Sequence, residues 1–244
     1  MTKIAISYWG MTRSTKYVYN SHFHNLFNVL KDNSIDYKVF MHTWRVENDQ
    51  NIIWEKVSNI PVDYDEYRLL KPDFYKIEEQ NLFKDQLNFS DYFDKNLYDK
   101  YGGDTHNEWR PQLIMNHLCA LESQKRVYQM VNDVDENFDY IIFIRPDVKI
   151  LNTFDTNILK SDFDIIIPSY HHHEGLNDRF AILHFNNARN YACRIDEIKD
   201  FRKNHGRIVS EKYVKFIINK YYNKLKFIDF KMQILRPDGS SLNS

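Results

Sequence analysis

Residues Tyr140-Ile141-Ile142-Phe143-Ile144 form an unbroken apolar run that stops abruptly at Arg145-Pro146-Asp147. An apolar run without polar alternation is the pattern of a strand covered on both faces, as in a parallel sheet. Pro146 has no N–H to give a sheet ladder, so the strand ends there. A guanidinium and a carboxylate then stand at the carboxyl end of a buried strand, the edge at which open α/β sheets bind ligands. The plainer alternative is a strand that turns polar where it meets water, and the remaining segments decide between the two.

The chain has 244 residues, enough for one large domain, and its 43% of hydrophobic residues can fill a sizeable core. With 33 basic against 34 acidic residues, it lacks the basic excess of a nucleic-acid binder. No apolar stretch approaches the ~20 residues that span a bilayer, so no transmembrane segment is expected. The first ten residues hold too short an apolar run for a secretory signal and read instead as a strand. Cys119 and Cys193 are the only cysteines and form no CxxC, which fits reduced thiols in a cytoplasmic protein.

The N-terminal part reads as a βαβ unit. Residues 4–9 are expected to be the first strand, left through Gly10, Thr12, Arg13 and Ser14. Val18, His22, Leu26, Val29 and Leu30 then recur at helical spacing between about Lys16 and Lys31. Residues 37–42 are the second strand, closed by Thr43-Trp44. The first loop carries neither GxGxxG nor GxxxxGK[ST], so it is neither a dinucleotide fingerprint nor a P-loop.

Residues 47–105 are less regular. Residues 57–60 and 67–70 read as short strands or helix fragments, and Asp63-Tyr64-Asp65 as solvated loop rather than a metal motif. Tyr92, Phe93, Tyr98 and Tyr101, followed by Gly102-Gly103, suggest an aromatic-bearing lid. Asn107 opens a long helix with Pro111 in its first turn and Leu113, Leu118, Leu121, Val127 and Val131 on its apolar face. Residues 148–151, 163–168 and 181–185 are further strands, and 188–201 and 210–222 helices. Residues 226–230 and 232–235 read as a closing strand pair. The expected architecture is a single α/β domain over 1–244, with a mostly parallel twisted sheet, flanking helices and a small antiparallel addition.

Several short motifs now fall in one order: Ile4-Ala-Ile-Ser-Tyr-Trp-Gly10 with Arg13, Phe40-Met-His-Thr-Trp44, Pro111-Gln112, Tyr140 to Asp147, Gly175-Leu-Asn-Asp-Arg-Phe-Ala181 and Leu235-Arg-Pro-Asp-Gly239. Together they resemble a GT-A type glycosyltransferase (a nucleotide-diphospho-sugar transferase) of the small sort found in bacteria and large viruses. The similarity spans most of the chain and is weakest over residues 47–105. It implies a nucleotide-sugar donor, a glycan or other hydroxyl acceptor, and Mn²⁺ or Mg²⁺. Typical members carry Asp-x-Asp where this chain has Arg145-Pro146-Asp147, so one carboxylate is missing. Asp147 is then the one metal ligand expected, while Arg145 could instead neutralise the diphosphate directly.

The resemblance assigns Tyr8, Gly10, Arg13, Thr43, Arg145 and Asp147 to the donor side. Asp178 is the candidate base that takes the acceptor proton, the alternative being a helix cap. Asn177, Arg179 and His173 are expected to meet the acceptor, and Glu174 is the second choice for the base. His171-His172-His173 lacks a third ligand at recognisable spacing and reads as loop rather than zinc site. Trp44 is read as core or rim, and His22 as structural. Two rivals stay open: a degenerate domain that binds nucleotide or glycan without catalysis, and a sugar nucleotidyltransferase. The latter would want a glycine-rich, basic first loop.

Overall fold

The computed structural model describes residues 2–46, 63–100 and 110–241. The strands are β1 (Lys3–Trp9), β2 (Asp36–Arg45), β3 (Phe74–Glu79), β4 (Tyr140–Ile144), β5 (Val148–Ile150), β6 (Ile165–Pro168), β7 (Phe180–His184), β8 (Leu225–Ile228) and β9 (Met232–Ile234). Seven of them make one sheet in the order β3-β2-β1-β4-β7-β6-β8, and β5 pairs with β9. Every neighbouring pair in the large sheet is parallel except those of β7, which is antiparallel to both β4 and β6. The expected mostly parallel sheet with a small antiparallel addition is what forms.

β1 sits between β2 and β4, and this explains why residues 4–9 are buried throughout. Side chains alternate across a strand, so β1 sends Ile4, Ile6 and Tyr8 to one face and Ala5 and Trp9 to the other. The first face is covered by α1 (Thr15–His22), which continues through a π turn (Phe23–Phe27) into α2 (Asn28–Asp32) and packs Leu26, Phe27 and Leu30 inward. Spanning the second face is the long helix α5 (Pro111–Asp133), through Ile114, Leu118, Leu121, Val127 and Val131. Each fully buried aliphatic or aromatic side chain of this kind stabilises the fold by roughly 1.5–3 kcal/mol. The register Tyr8↔Ile144 sets the ends of β1 and β4 side by side.

The shorter helices are α3 (Gln80–Lys84), α4 (Lys95–Lys100), α6 (Arg189–Ala192), α7 (Ile198–His205) and α8 (Ser210–Tyr221). Several details differ from the sequence reading. β2 runs on to Arg45, so Thr43 lies inside the strand, opposite Ile77 of β3. β3 itself was not expected, because an edge strand with half-exposed residues shows no clear apolar pattern. The expected closing pair does not form: β8 joins β6 in parallel, whereas β9 turns away to β5. Phe230 lies buried between them, packed edge-on against Phe154 and Phe180. The helix expected over 188–201 is broken into α6, a 3₁₀ turn (Arg194–Glu197) and α7.

Asp63 caps its own exposed turn by accepting the Asp65 N–H at 2.9 Å, in line with a solvated loop. Of the expected lid, Tyr92 is buried, and its neighbours Asp91 and Asp94 are tied to Lys199 and Arg202 of α7. Tyr101, Gly102-Gly103, residues 57–60 and the helix start at Asn107 lie outside the described residues.

Candidate functional site

A cleft of about 400 Å³ opens where β1 and β4 end. Trp9, Gly10 and Arg13 reach it from the loop after β1, and Arg145, Pro146 and Asp147 from the loop after β4. Asn116 and His117 of α5 form one wall, and Asp178, Ser210 and Glu211 another. Arg194, Gln80 at the start of α3, and Arg236 just beyond β9 complete it.

The centre of the cationic end is Asp147, whose side chain is only 3% exposed. Arg145 grips it as a fork, donating from Nε to Oδ1 at 2.8 Å and from Nη2 to Oδ2 at 2.6 Å. Arg13 Nη2 donates to Oδ2 at 3.3 Å. Burial by itself would raise the carboxyl's pKa, but the two arginines outweigh it and hold the pKa at about 2. The C-terminal segment closes this end: Leu235 N–H donates to the Asp147 carbonyl at 3.0 Å, and Ser14 Oγ to the Leu235 carbonyl at 3.0 Å. Two Arg-Pro-Asp tripeptides, 145–147 and 236–238, are thereby brought together.

Gly10 has φ +96°, a left-handed conformation suited to glycine. Its N–H donates to Ser123 Oγ at 2.8 Å, and Ser123 Oγ lies 2.8 Å from His42 Nδ1. His42 Nε2 donates to Glu78 at 3.0 Å, and Arg126 donates to the same Glu78 oxygen at 2.7 Å. His42 is buried, and burial lowers its pKa. Its hydrogen bond, with those from Arg126 and Lys76, keeps the Glu78 carboxyl well below the usual range despite desolvation. A partly buried chain of polar contacts thus ties the first loop to β2, β3 and α5.

At the other end, the Asp178 carboxylate makes no hydrogen bond to a described residue and lines the cleft beside His117 and Glu211. Burial drives His117 down to about 4, so its imidazole is neutral near pH 7. The pKa of Glu211 is raised, first by burial and then by the Asp178 charge. The loop bearing Asp178 is packed hard onto α8. Leu176 N–H donates to the Glu211 carbonyl at 3.0 Å, and a Cβ on Gly175 would stand 2.0 Å from that same oxygen.

Of the residues expected from sequence, Gly10, Arg13, Arg145, Asp147 and Asp178 come together in the cleft. Tyr8 and Thr43 do not. Tyr8 points to the opposite face of the sheet, is fully buried, and bonds His22 Nδ1 through its hydroxyl at 2.7 Å. Thr43 is one residue out of phase with His42 and Trp44 and is equally buried. Trp44 is core, its Nε1 donating to the Cys119 carbonyl at 2.9 Å. Asn177 is 1% exposed and shapes its own loop, accepting from Arg179 N and donating to the Tyr170 carbonyl, both at 2.9 Å. Arg179 faces Asp178, Arg145, Asp147 and Glu211, whereas His173, at φ +43°, is exposed. Glu174 is held by Arg207 and Lys212, which removes it as the second choice for a base.

The residues at the strand end do not fit the implied Mn²⁺ or Mg²⁺. Such an ion seeks carboxylate oxygens and water. Here the single carboxylate is wrapped by cations, and among the described residues no three His, Cys, Asp or Glu side chains converge. His117, Glu211, Gln80, Arg194 and Arg236 escaped the sequence reading because tertiary packing alone gathers them. The repeated Arg-Pro-Asp was the one signal that pointed to Arg236.

No protein-family model and no curated protein sequence matches the chain. Its fold is GT-A. Core-mannan synthase A of Aspergillus fumigatus, in its Mn/GDP form, superposes with a TM-score of 0.54 at 8% identity, over 95% of this chain and 74% of that one. The glycosyltransferase GlyE of Streptococcus pneumoniae gives a TM-score of 0.44 at 10% identity over 94% of this chain, which spans 45% of the length of GlyE. Mouse xyloside xylosyltransferase 1 gives 0.39 at 9% identity, over 93% and 84% of the two chains.

Proposed function

We propose that the protein transfers a sugar from a nucleoside-diphosphate donor to an acceptor hydroxyl, as part of glycan synthesis. One observation carries the reading: a single cleft at the ends of β1 and β4 has a guanidinium-rich end around Asp147 and a separate carboxylate, Asp178. Transfer of a glycosyl group needs both. The departing diphosphate gains negative charge, which fixed donors and cations stabilise without reorganising. The attacking hydroxyl must lose its proton, and a positioned carboxylate accepts it late in the step. Asp178 is the base in this reading, and the sugar carbon is inverted by direct attack. Arg179 places its positive charge beside Asp178, and neutral His117 borders the acceptor. Burial, and after it the charge of Asp178, raises the pKa of the Glu211 carboxyl across the cleft. A cytoplasmic setting is part of the proposal, supported by two unpaired cysteines.

Asp178→Asn tests it. The variant keeps size and loses the base, so kcat should fall by about 100-fold or more while donor affinity changes little. A folded variant with near-normal kcat would make Asp178 a loop residue. The rival reading as a binding module without catalysis draws on the missing second carboxylate of Asp-x-Asp. Slow donor hydrolysis without acceptor separates the two, since a pure binder would leave the donor intact.

A further inference from the structure

We infer that the donor diphosphate is gripped by guanidinium groups, with Asp147 serving to orient them, and that donor binding takes no divalent cation. This rests on the donor reading above and goes against the metal that a GT-A resemblance implies.

Asp147 is already engaged at both carboxylate oxygens, Oδ1 accepting from Arg145 and Oδ2 from Arg145 and Arg13. A divalent ion on this carboxylate would replace short, charge-assisted bonds in a nearly closed site and then face the displaced guanidinium groups at close range. Asp147 therefore acts as a positioning residue. It fixes the plane of Arg145 and the reach of Arg13, much as a carboxylate in a second coordination shell orients a ligand.

Arg13, Arg145 and Arg236 line this end of the cleft around Asp147. The guanidinium fork matches phosphate oxygens two at a time, which an ammonium or a lone carboxylate does not. Trp9, whose ring centroid is 5.9 Å from Arg145 Cζ, bounds the fork on one side.

Calorimetric titration of the full chain with UDP, GDP, ADP and CDP in turn, in EDTA and again in Mn²⁺, decides the matter. The expected result is that at least one of them binds in EDTA and that Mn²⁺ changes its Kd by less than about fivefold. Arg145→Ala should then weaken that nucleotide by about 10- to 100-fold, the worth of charged hydrogen bonds to phosphate, and Arg145→Lys by less. Arg13→Ala should also weaken it and serves if Arg145→Ala does not fold. Binding that needs Mn²⁺, or tightens at least fivefold with it, overturns the inference while leaving the donor reading standing. So does unchanged affinity in both folded arginine variants. Binding of none of the four nucleotides under either condition overturns the donor reading, and the inference with it.

Discussion

Asp147 and His22 show how burial is made tolerable for polar groups, and they do it with opposite signs. His22 is fully buried, accepts from the Tyr8 hydroxyl at Nδ1 and donates from Nε2 to the Val148 carbonyl. Burial pulls its pKa down to about 4, against the smaller upward pull of Val148 and Asp147. In the unfolded chain it titrates near 6.5. Between those values the unfolded state binds the extra proton, so acidification destabilises the fold by up to about 3 kcal/mol through this residue. Asp147, at about 2 in the fold, stabilises the protein above the carboxylate range and loses that contribution as pH falls from near 4 towards 2. Chemical denaturation across pH should therefore show stability falling in two stages, one below pH ~6.5 and one below pH ~4. His22→Gln should shrink the first stage, to which buried His117 and His42 also contribute. A first stage of undiminished size in His22→Gln would assign it to other groups. Residues of this kind were half legible in sequence. His22 read correctly as structural, but Tyr8 was misjudged because a strand buried on both faces gives no polar alternation to say which side chain points where.

Elements decide how the cleft is assembled. The runs at 4–9 and 140–144 announced their strands because central parallel strands are continuously apolar. The edge strand β3 and the broken helix after residue 188 did not, since neither has a clean period. The wall bearing Asp178 depends on one close approach between elements, the loop at Gly175 lying against the first turn of α8. Gly175→Ala sets a methyl group against backbone, not against a side chain that can swing away. The loop must shift, at a cost of about 1–3 kcal/mol, and Asp178 moves with it. We expect a lower melting temperature together with a kcat loss larger than any loss in donor affinity. Unchanged thermal stability and kcat would mean that the loop and α8 are not in contact in solution.

For the whole molecule, the cleft lies where β1 and β4 end side by side, the edge at which α/β sheets take ligands. The sequence carried the strands that make this edge and five of the residues on it. It could not carry the far wall, because Arg194 and Glu211 reach the cleft only after the chain has crossed the sheet, turned through β7 and come back. Among the described residues no helix is long and apolar enough to cross a membrane. The central claim is that this edge binds a nucleotide-sugar donor, and a thermal-shift screen of the full chain against nucleoside diphosphates and nucleotide sugars tests it most directly. A ligand at ~100 times its Kd adds about 2.7 kcal/mol of stability, which for a chain of this size raises Tm by roughly 5–10 °C. The account predicts such a rise for at least one nucleoside diphosphate and its sugar conjugates, reduced in Arg145→Ala. No shift with any of them would contradict it.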